Sequence, residues 1–330
     1  MNDVSPACPS PWNGTTVTES SNPRIRRTET IANVSSYIGA SLRVEADVAA
    51  GIPQLLLVPE STSVAPTNRR IPGNPDILGE SSTIVRAMLV ASPPGTYVTR
   101  ARIDSFDASA GGHRHGAPPS SYWGKLDEAS EATCTIEIPE GMTEGECSIT
   151  YQADEISGIA KIAASIDDHE LETEPTIEVQ VGLDLTDISS FLVRPGERLR
   201  RPDTDHVDSD AFFVRPDVVP RVQDLSAKFE AITKSQDLAE KLCPDSWESI
   251  VRPQGLYLTY NDMSLPRGGQ KTPHKGHRKG TSVDINRSFR DGSTGAELGR
   301  SACLDALVFA ACEKAGGRIE PEGTIHCEFR

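Results

Sequence analysis

From about residue 33 to 183 the chain is a succession of short runs rich in Val, Ile, Thr and Leu. The runs are Ser41–Asp47, Gln54–Val58, Thr83–Val90, Tyr97–Ile103, Thr133–Ile138, Ser148–Ala153, Ile159–Ile166 and Thr176–Val181. Gly, Pro, Asp and Ser bound them, and no helical period competes over a comparable length. In Ser148–Ala153 the residues alternate, which puts Ile149 and Tyr151 on one face. Many short strands separated by turn signals predict an all-β sandwich and exclude a helical bundle for this half of the chain.

The remainder reads differently. At 330 residues the chain is long enough for two domains. Residues 1–32 are rich in Ser, Pro, Asn and Thr without a hydrophobic period and read as a disordered tail. Residues 184–215 form a Pro- and Asp-rich connector. Residues 216–330 read as an α+β domain, an antiparallel sheet with helices on one face. Within it, Val219, Val222, Leu225, Phe229 and Ile232 make one apolar face of a helix over Val218–Leu242, broken near Thr233-Lys-Ser. Leu256–Tyr260 and Thr281–Asn286 read as strands. Ala296–Ala315 reads as a helix with Leu304, Leu307, Val308, Ala311 and Ala315 in one stripe, ended by Gly316-Gly317. Thr324–Phe329 reads as a last strand.

The formal net charge of −15 argues against a nucleic-acid binder, because phosphate binding needs a positive field. The charge is uneven. Arg267, Lys271, Lys275, Arg278, Lys279, Arg287 and Arg290 stand against the single acid Asp284 between Pro266 and Arg290. Such a strip serves either a local anionic ligand or the neutralisation of acidic neighbours. No apolar run of about 18 residues is present, so no membrane span is expected. The first 30 residues carry no apolar signal-peptide core. Seven cysteines form no paired CxxC knuckle. Cys134 and Cys147 flank a hairpin-like stretch, where two facing strands would let them bond; two buried thiols fit the same stretch.

The chemistry-bearing segment is Pro273-His274-Lys-Gly-His277-Arg-Lys-Gly280-Thr-Ser-Val-Asp284-Ile-Asn, with Thr324-Ile-His326-Cys-Glu-Phe329 far downstream. A catalytic zinc takes three protein ligands and keeps one open position, and His277, Asp284 and His326 supply such a set. Strand parity fits this. Ser282, Asp284 and Asn286 share one face of the first strand, and Val283 and Ile285 the other; in the last strand Thr324, His326 and Glu328 oppose Ile325, Cys327 and Phe329. The apolar faces would pack on the Leu304/Leu307/Val308 helix and leave the polar faces for a metal. Spacing alone equally permits loop and surface histidines. His113-Arg-His115, and His206 among Asp203, Asp205 and Asp208, are further His-bearing clusters without a complete ligand set.

The segment Asp262-Met-Ser-Leu-Pro-Arg-Gly-Gly269, followed by His274-x-x-His277-x-x-Gly280-x-x-x-Asp284-Ile, resembles the signature of the penicillin-insensitive murein endopeptidases. Their relatives include the D-Ala-D-Ala metallopeptidases and the zinc-bearing hedgehog signalling domain. The likeness covers roughly 255–330. It implies a zinc peptidase-like fold there, Zn2+ on His277, Asp284 and His326, and a further active-site histidine at His274. The implied activity is zinc-dependent hydrolysis of amide bonds in peptidoglycan peptides, in an extracytoplasmic compartment. Where the endopeptidases carry a His two residues before the last ligand, this chain has Thr324. Glu320 resembles an acid of the hedgehog branch, so Glu320 or Glu322 is the candidate general base. Arg267 and Arg278 are candidates for binding an anionic peptide stem, and Asp262 for fixing the loop or orienting a ligand histidine. The stretch CSITYQADEISGIAKIAASI resembles the last strands of bacterial immunoglobulin-like modules. Two other readings stand beside hydrolysis: a zinc-bound cell-wall recognition module without catalysis, and an adhesion or interaction role for the sandwich.

Overall fold

The computed structural model describes residues 53–68, 78–112, 118–167, 169, 171, 173–192, 194, 197, 211–270, 276–299, 301–321 and 325–329. The tail, the strand expected at Ser41–Asp47, and the clusters around His113, His115 and His206 lie outside them.

The first half is built on strands, with short 3-10 turns at Ala108–Gly111 and Ser120–Tyr122. Its elements are β1 (Gln54–Pro59), β2 (Ser63–Val64), β3 (Ser82–Val90), β4 (Gly95–Asp107), β5 (Lys125–Leu126), β6 (Glu131–Ile138), β7 (Glu144–Gln152), β8 (Gly158–Ile166) and β9 (Thr176–Val181). They form two sheets, ordered β1-β3-β7-β5 and β2-β9-β8-β4-β6, antiparallel except where β2 meets β9. One hydrophobic core joins the sheets, with Leu89, Leu126, Ile136, Tyr151 and Ile162 at its centre. Ile149 and Tyr151 both point into it, as their alternation predicts.

Cys134 and Cys147 are bonded, with Cα atoms 5.8 Å apart. The geometry differs from the expected hairpin. β6 pairs with β4 and β7 with β3, so the turn between them carries the chain from one sheet to the other. The bond therefore ties two sheets together rather than two paired strands.

The second half begins with β10 (Thr186–Asp187) and β11 (Phe213–Val214), which pair with each other. The described part of the connector is thus built into the fold: Ile188, Leu192, Phe212 and Val214 belong to the second core. There follow α1 (Val219–Lys234), α2 (Gln236–Leu242), β12 (Leu256–Tyr260), β13 (Ser282–Asp291), β14 (Glu297–Leu298), α3 (Ala302–Lys314), β15 (Gly317–Pro321) and β16 (Ile325–Phe329). Proline at the start of α1 suits a turn whose N–H groups have no helical partner. Ser235 ends α1 and caps α2 by accepting from the Leu238 N–H.

The helix expected from Ala296 starts later. Ser301 caps it by accepting from the Leu304 N–H at 3.1 Å, and Glu297–Leu298 instead pair with Phe289–Arg290. The apolar stripe begins only at Leu304, so nothing upstream favoured helix over strand.

The second sheet has the order β12-β13-β16-β15, with β14 on β13. One face carries Leu258, Val283, Ile285, Ile325, Cys327 and Phe329, packed with Leu225 and Phe229 of α1 and Leu304, Leu307 and Val308 of α3. Burying each large side chain here contributes about 1.5–3 kcal/mol. Two further disulfides pin the helices: Cys243–Cys303 joins the end of α2 to the start of α3, and Cys312–Cys327 joins α3 to β16. The seventh cysteine, Cys8, is outside the described residues. No helix among those residues is long and apolar enough to cross a membrane.

Candidate metal centre

Antiparallel pairing of β13 with β16 sets Asp284 opposite His326, and pairing of β15 with β16 sets Glu320 opposite the same His326. Residues directly opposite one another point to the same face, so Asp284, His326 and Glu320 meet on the face away from the helices. The apolar partners at alternate positions hold this register. A slip of one residue would drive Asp284 and His326 into the core.

His277 arrives from a different direction. It lies in a 3-10 turn, Gly276–Lys279, that precedes β13. Gly280 follows with φ +69°, the left-handed region that lets the chain reverse into the strand. A side chain there would also collide with Leu185 Cδ2 at 2.6 Å and Arg215 N at 2.9 Å. The Ser264 hydroxyl donates to the His277 carbonyl and fixes the turn from the other side.

The three side chains converge. His277 Nε2 is 3.2 Å from Asp284 Oδ2, and His326 Nδ1 is 2.9 Å from Asp284 Oδ1. The two imidazoles meet edge-on, their centroids 5.2 Å apart. A ligand atom from each residue lies within 4.8 Å of the others, a group able to hold a metal ion. His277, Asp284 and His326 are 1%, 0% and 2% exposed, so this cluster sits in the interior rather than on an open face. Burial by itself would push the Asp284 carboxyl up. Hydrogen bonds and charge from His277 and His326 outweigh it and hold the carboxyl well below the usual carboxylate range. The site therefore presents a carboxylate and two imidazoles to a cation.

The Asp262 motif continues the backbone pairing of β12 with β13 alongside Asp284. The Asp284 N–H donates to the Asp262 carbonyl at 2.7 Å, and the Asn261 N–H to the Asp284 carbonyl at 2.8 Å. Asp262 is itself buried. Glu320 is half-buried at the margin. Glu322, His274 and Thr324 lie outside the described residues.

Three residues of the basic strip are paired with acids from other parts of the chain. Arg278 pairs with Glu155 at 3.3 Å, Arg290 with Glu297 at 3.3 Å and Arg287 with Asp305 at 3.9 Å. Arg278, a sequence candidate for substrate, is 5% exposed and turned toward the β-rich half. The Arg267 carbonyl accepts from the Leu183 N–H at 2.8 Å, and its side chain lies along Gly182. Sequence reasoning missed Glu155 and Asn68, which meet Arg278. No motif marks them, because their role depends on a contact between segments more than 100 residues apart.

No protein-family model and no curated protein matches the chain. Among solved structures it is similar to BslA, described as a bacterial hydrophobin, at 10% identity and TM-score 0.20 over 41% of this chain and 98% of that one. It is also similar to the N-terminal domain of PorA, at 8% identity and TM-score 0.19 over 39% and 97%. Likeness at this level carries no argument about fold or function.

Proposed function

We propose that this chain is a zinc-dependent hydrolase that cuts amide bonds in peptidoglycan peptides, related to the penicillin-insensitive murein endopeptidases. On this reading the second half is a zinc peptidase-like domain and the first an immunoglobulin-like sandwich. The observation that carries it is the buried convergence of His277, Asp284 and His326, with Glu320 in register beside His326.

Two imidazole nitrogens and one carboxylate oxygen are the donor set of one-zinc sites that keep a fourth position open. One donor atom from each of the three residues lies within 4.8 Å of the others, close enough for the three to share one ion. Zinc held there would supply a water of lowered pKa and a Lewis acid for the scissile carbonyl.

The chain's own residues do the rest. Glu320 takes the proton of the attacking water and returns it to the leaving amine. His274, by resemblance, stabilises the developing oxyanion or binds a substrate carboxylate. Arg267 is the remaining arginine candidate for the peptide stem, since Arg278 is engaged with Glu155. Three disulfides favour an oxidising, extracytoplasmic compartment.

A second reading has specific support. Thr324 replaces the histidine expected two residues before the last ligand, and ligands only 0–2% exposed leave a substrate little access to the site. On that reading the chain is a zinc-bound cell-wall recognition module. Digestion of purified peptidoglycan separates the two. Hydrolysis predicts zinc-dependent release of soluble muropeptides, lost in Glu320→Gln with zinc retained. Binding to peptidoglycan without release, equal in wild type and variant, selects the recognition module.

A further inference from the structure

We propose that the β-rich half is a working part of the metal centre, with Glu155 as a positioning residue that holds the His277 turn through Arg278. The ligand role assigned to His277 rests on the preceding reading. The positioning itself is a statement about the polypeptide alone.

The described stretches 264–270 and 276–280 carry the turn, and sequence-distant segments grip them at several points. Glu155 lies between β7 and β8. Its carboxylate meets Arg278 Nη1 at 3.3 Å, and the same nitrogen donates to Asn68 Oδ1 at 3.2 Å. Glu155, Arg278 and Asn68 are 0%, 5% and 4% exposed. The Glu155 carbonyl accepts from the Gln270 N–H at 2.7 Å, and the Ser157 hydroxyl donates to the Gly268 carbonyl at 2.8 Å. The loop closes on itself where the Gly269 N–H donates to the Arg278 carbonyl at 3.0 Å. Gly269 has φ +76°, and a Cβ on it would stand 2.8 Å from the Glu155 carbonyl oxygen. The loop thus touches the β-rich half backbone to backbone, too closely for any side chain.

A buried ion pair is a poor stabiliser, because desolvation of both charges consumes most of the attraction. Its usefulness here is geometric. Arg278 directly follows His277, so the ion pair and the hydrogen bond that share its Nη1 also restrain the backbone that aims the neighbouring imidazole. A metal ligand needs its partners held to about half an ångström. The ligands Asp284 and His326 are held by the sheet. His277 lies outside the strands; Ser264 holds its carbonyl from one side, and the β-rich half holds the adjoining Arg278 from the other. An independently tethered adhesion module would not need this contact.

The test uses the full chain, as wild type, Glu155→Gln, Glu155→Asp and Ser157→Ala. Hydrogen–deuterium exchange is measured on metal-free protein over residues 276–286, with α3 as the internal control. Zinc affinity is measured by chelator competition, and the cobalt-substituted spectrum reports ligand geometry. Glu155→Gln should speed exchange over 276–286 by about tenfold while α3 is unchanged. It should also weaken zinc by about tenfold or more and alter the cobalt spectrum, with partial recovery in Glu155→Asp. Unchanged exchange and zinc affinity in folded Glu155→Gln would overturn the proposal. Should that variant fail to fold, Ser157→Ala decides: about threefold faster exchange in the same segment supports the proposal, and wild-type exchange refutes it. Because exchange is read without metal, a wild type that binds no zinc would count against the preceding reading and leave this test intact.

Discussion

The two halves of the molecule use strands in opposite ways. In β3 and β4 buried and exposed positions largely alternate, as a sheet with one wet face requires. In β12 every residue is buried, and the first four residues of β13 are buried as well. One face of this second sheet is apolar and packs on helices. The other holds Thr259, Ser282, Asp284 and His326, all buried. Burying polar groups costs free energy unless partners offset it. A face that is polar and yet dry is where packing stops explaining the sequence, and it is where the candidate metal centre lies. The β-rich half has no comparable face among its described residues, and of its buried polar residues, Asn68, Glu155 and Ser157 meet the other half's loop.

Perturbing each face in turn sharpens this contrast. On the proposed hydrolase reading the largest effect belongs to the polar face: Glu320→Gln should slow zinc-dependent release of muropeptides by about 10²- to 10⁴-fold with zinc content unchanged. The apolar face should answer in stability. Phe289 is fully buried with its ring 5.5 Å from Phe229, and Phe289→Ala should cost about 3–5 kcal/mol in denaturant unfolding. Removing the Cys312–Cys327 bond by replacing both residues with Ala should cost about 3 kcal/mol, since it closes a loop of 15 residues behind His326.

The pH dependence of zinc binding has a definite sign. Protons compete with the metal for the imidazole nitrogens, so affinity should fall as pH is lowered. Asp284, held well below the usual range, stays a carboxylate throughout and adds no step of its own. Isothermal titration across pH 5–8, at intervals of about half a unit, checks this. The smallest effect belongs to the wet face of the β-rich half. Val98 is 37% exposed, and Val98→Thr should change stability by less than about 0.5 kcal/mol. A large loss there would mean that this face is covered, and the contrast between the halves would fail.

Much of this was legible in the residues. Alternation at Ile149 and Tyr151, the stripe of α1, and the parity of Asp284 and His326 against Val283, Ile285, Ile325 and Phe329 each follow from periods of 2 and 3.6. These are local signals, and the structure keeps them. What depends on pairing was not legible. Nothing in Cys134 and Cys147 says that their strands belong to different sheets. Nothing in Arg278 says that it turns inward to Glu155 rather than outward to a ligand. The Pro- and Asp-rich connector reads as a spacer, yet Ile188, Leu192, Phe212 and Val214 enter the second core. Glu320 lay between: Pro321 and Gly323 blurred its parity, and only the register with His326 gives it a face.

The central claim is that the dry polar face is built to hold a metal. Zinc content of the purified full chain, compared with Asp284→Ala after zinc is supplied and excess removed, tests it most directly. The account predicts about one zinc per wild-type chain and none in the folded variant. A folded wild type without zinc, or a variant that keeps its full complement, would contradict it.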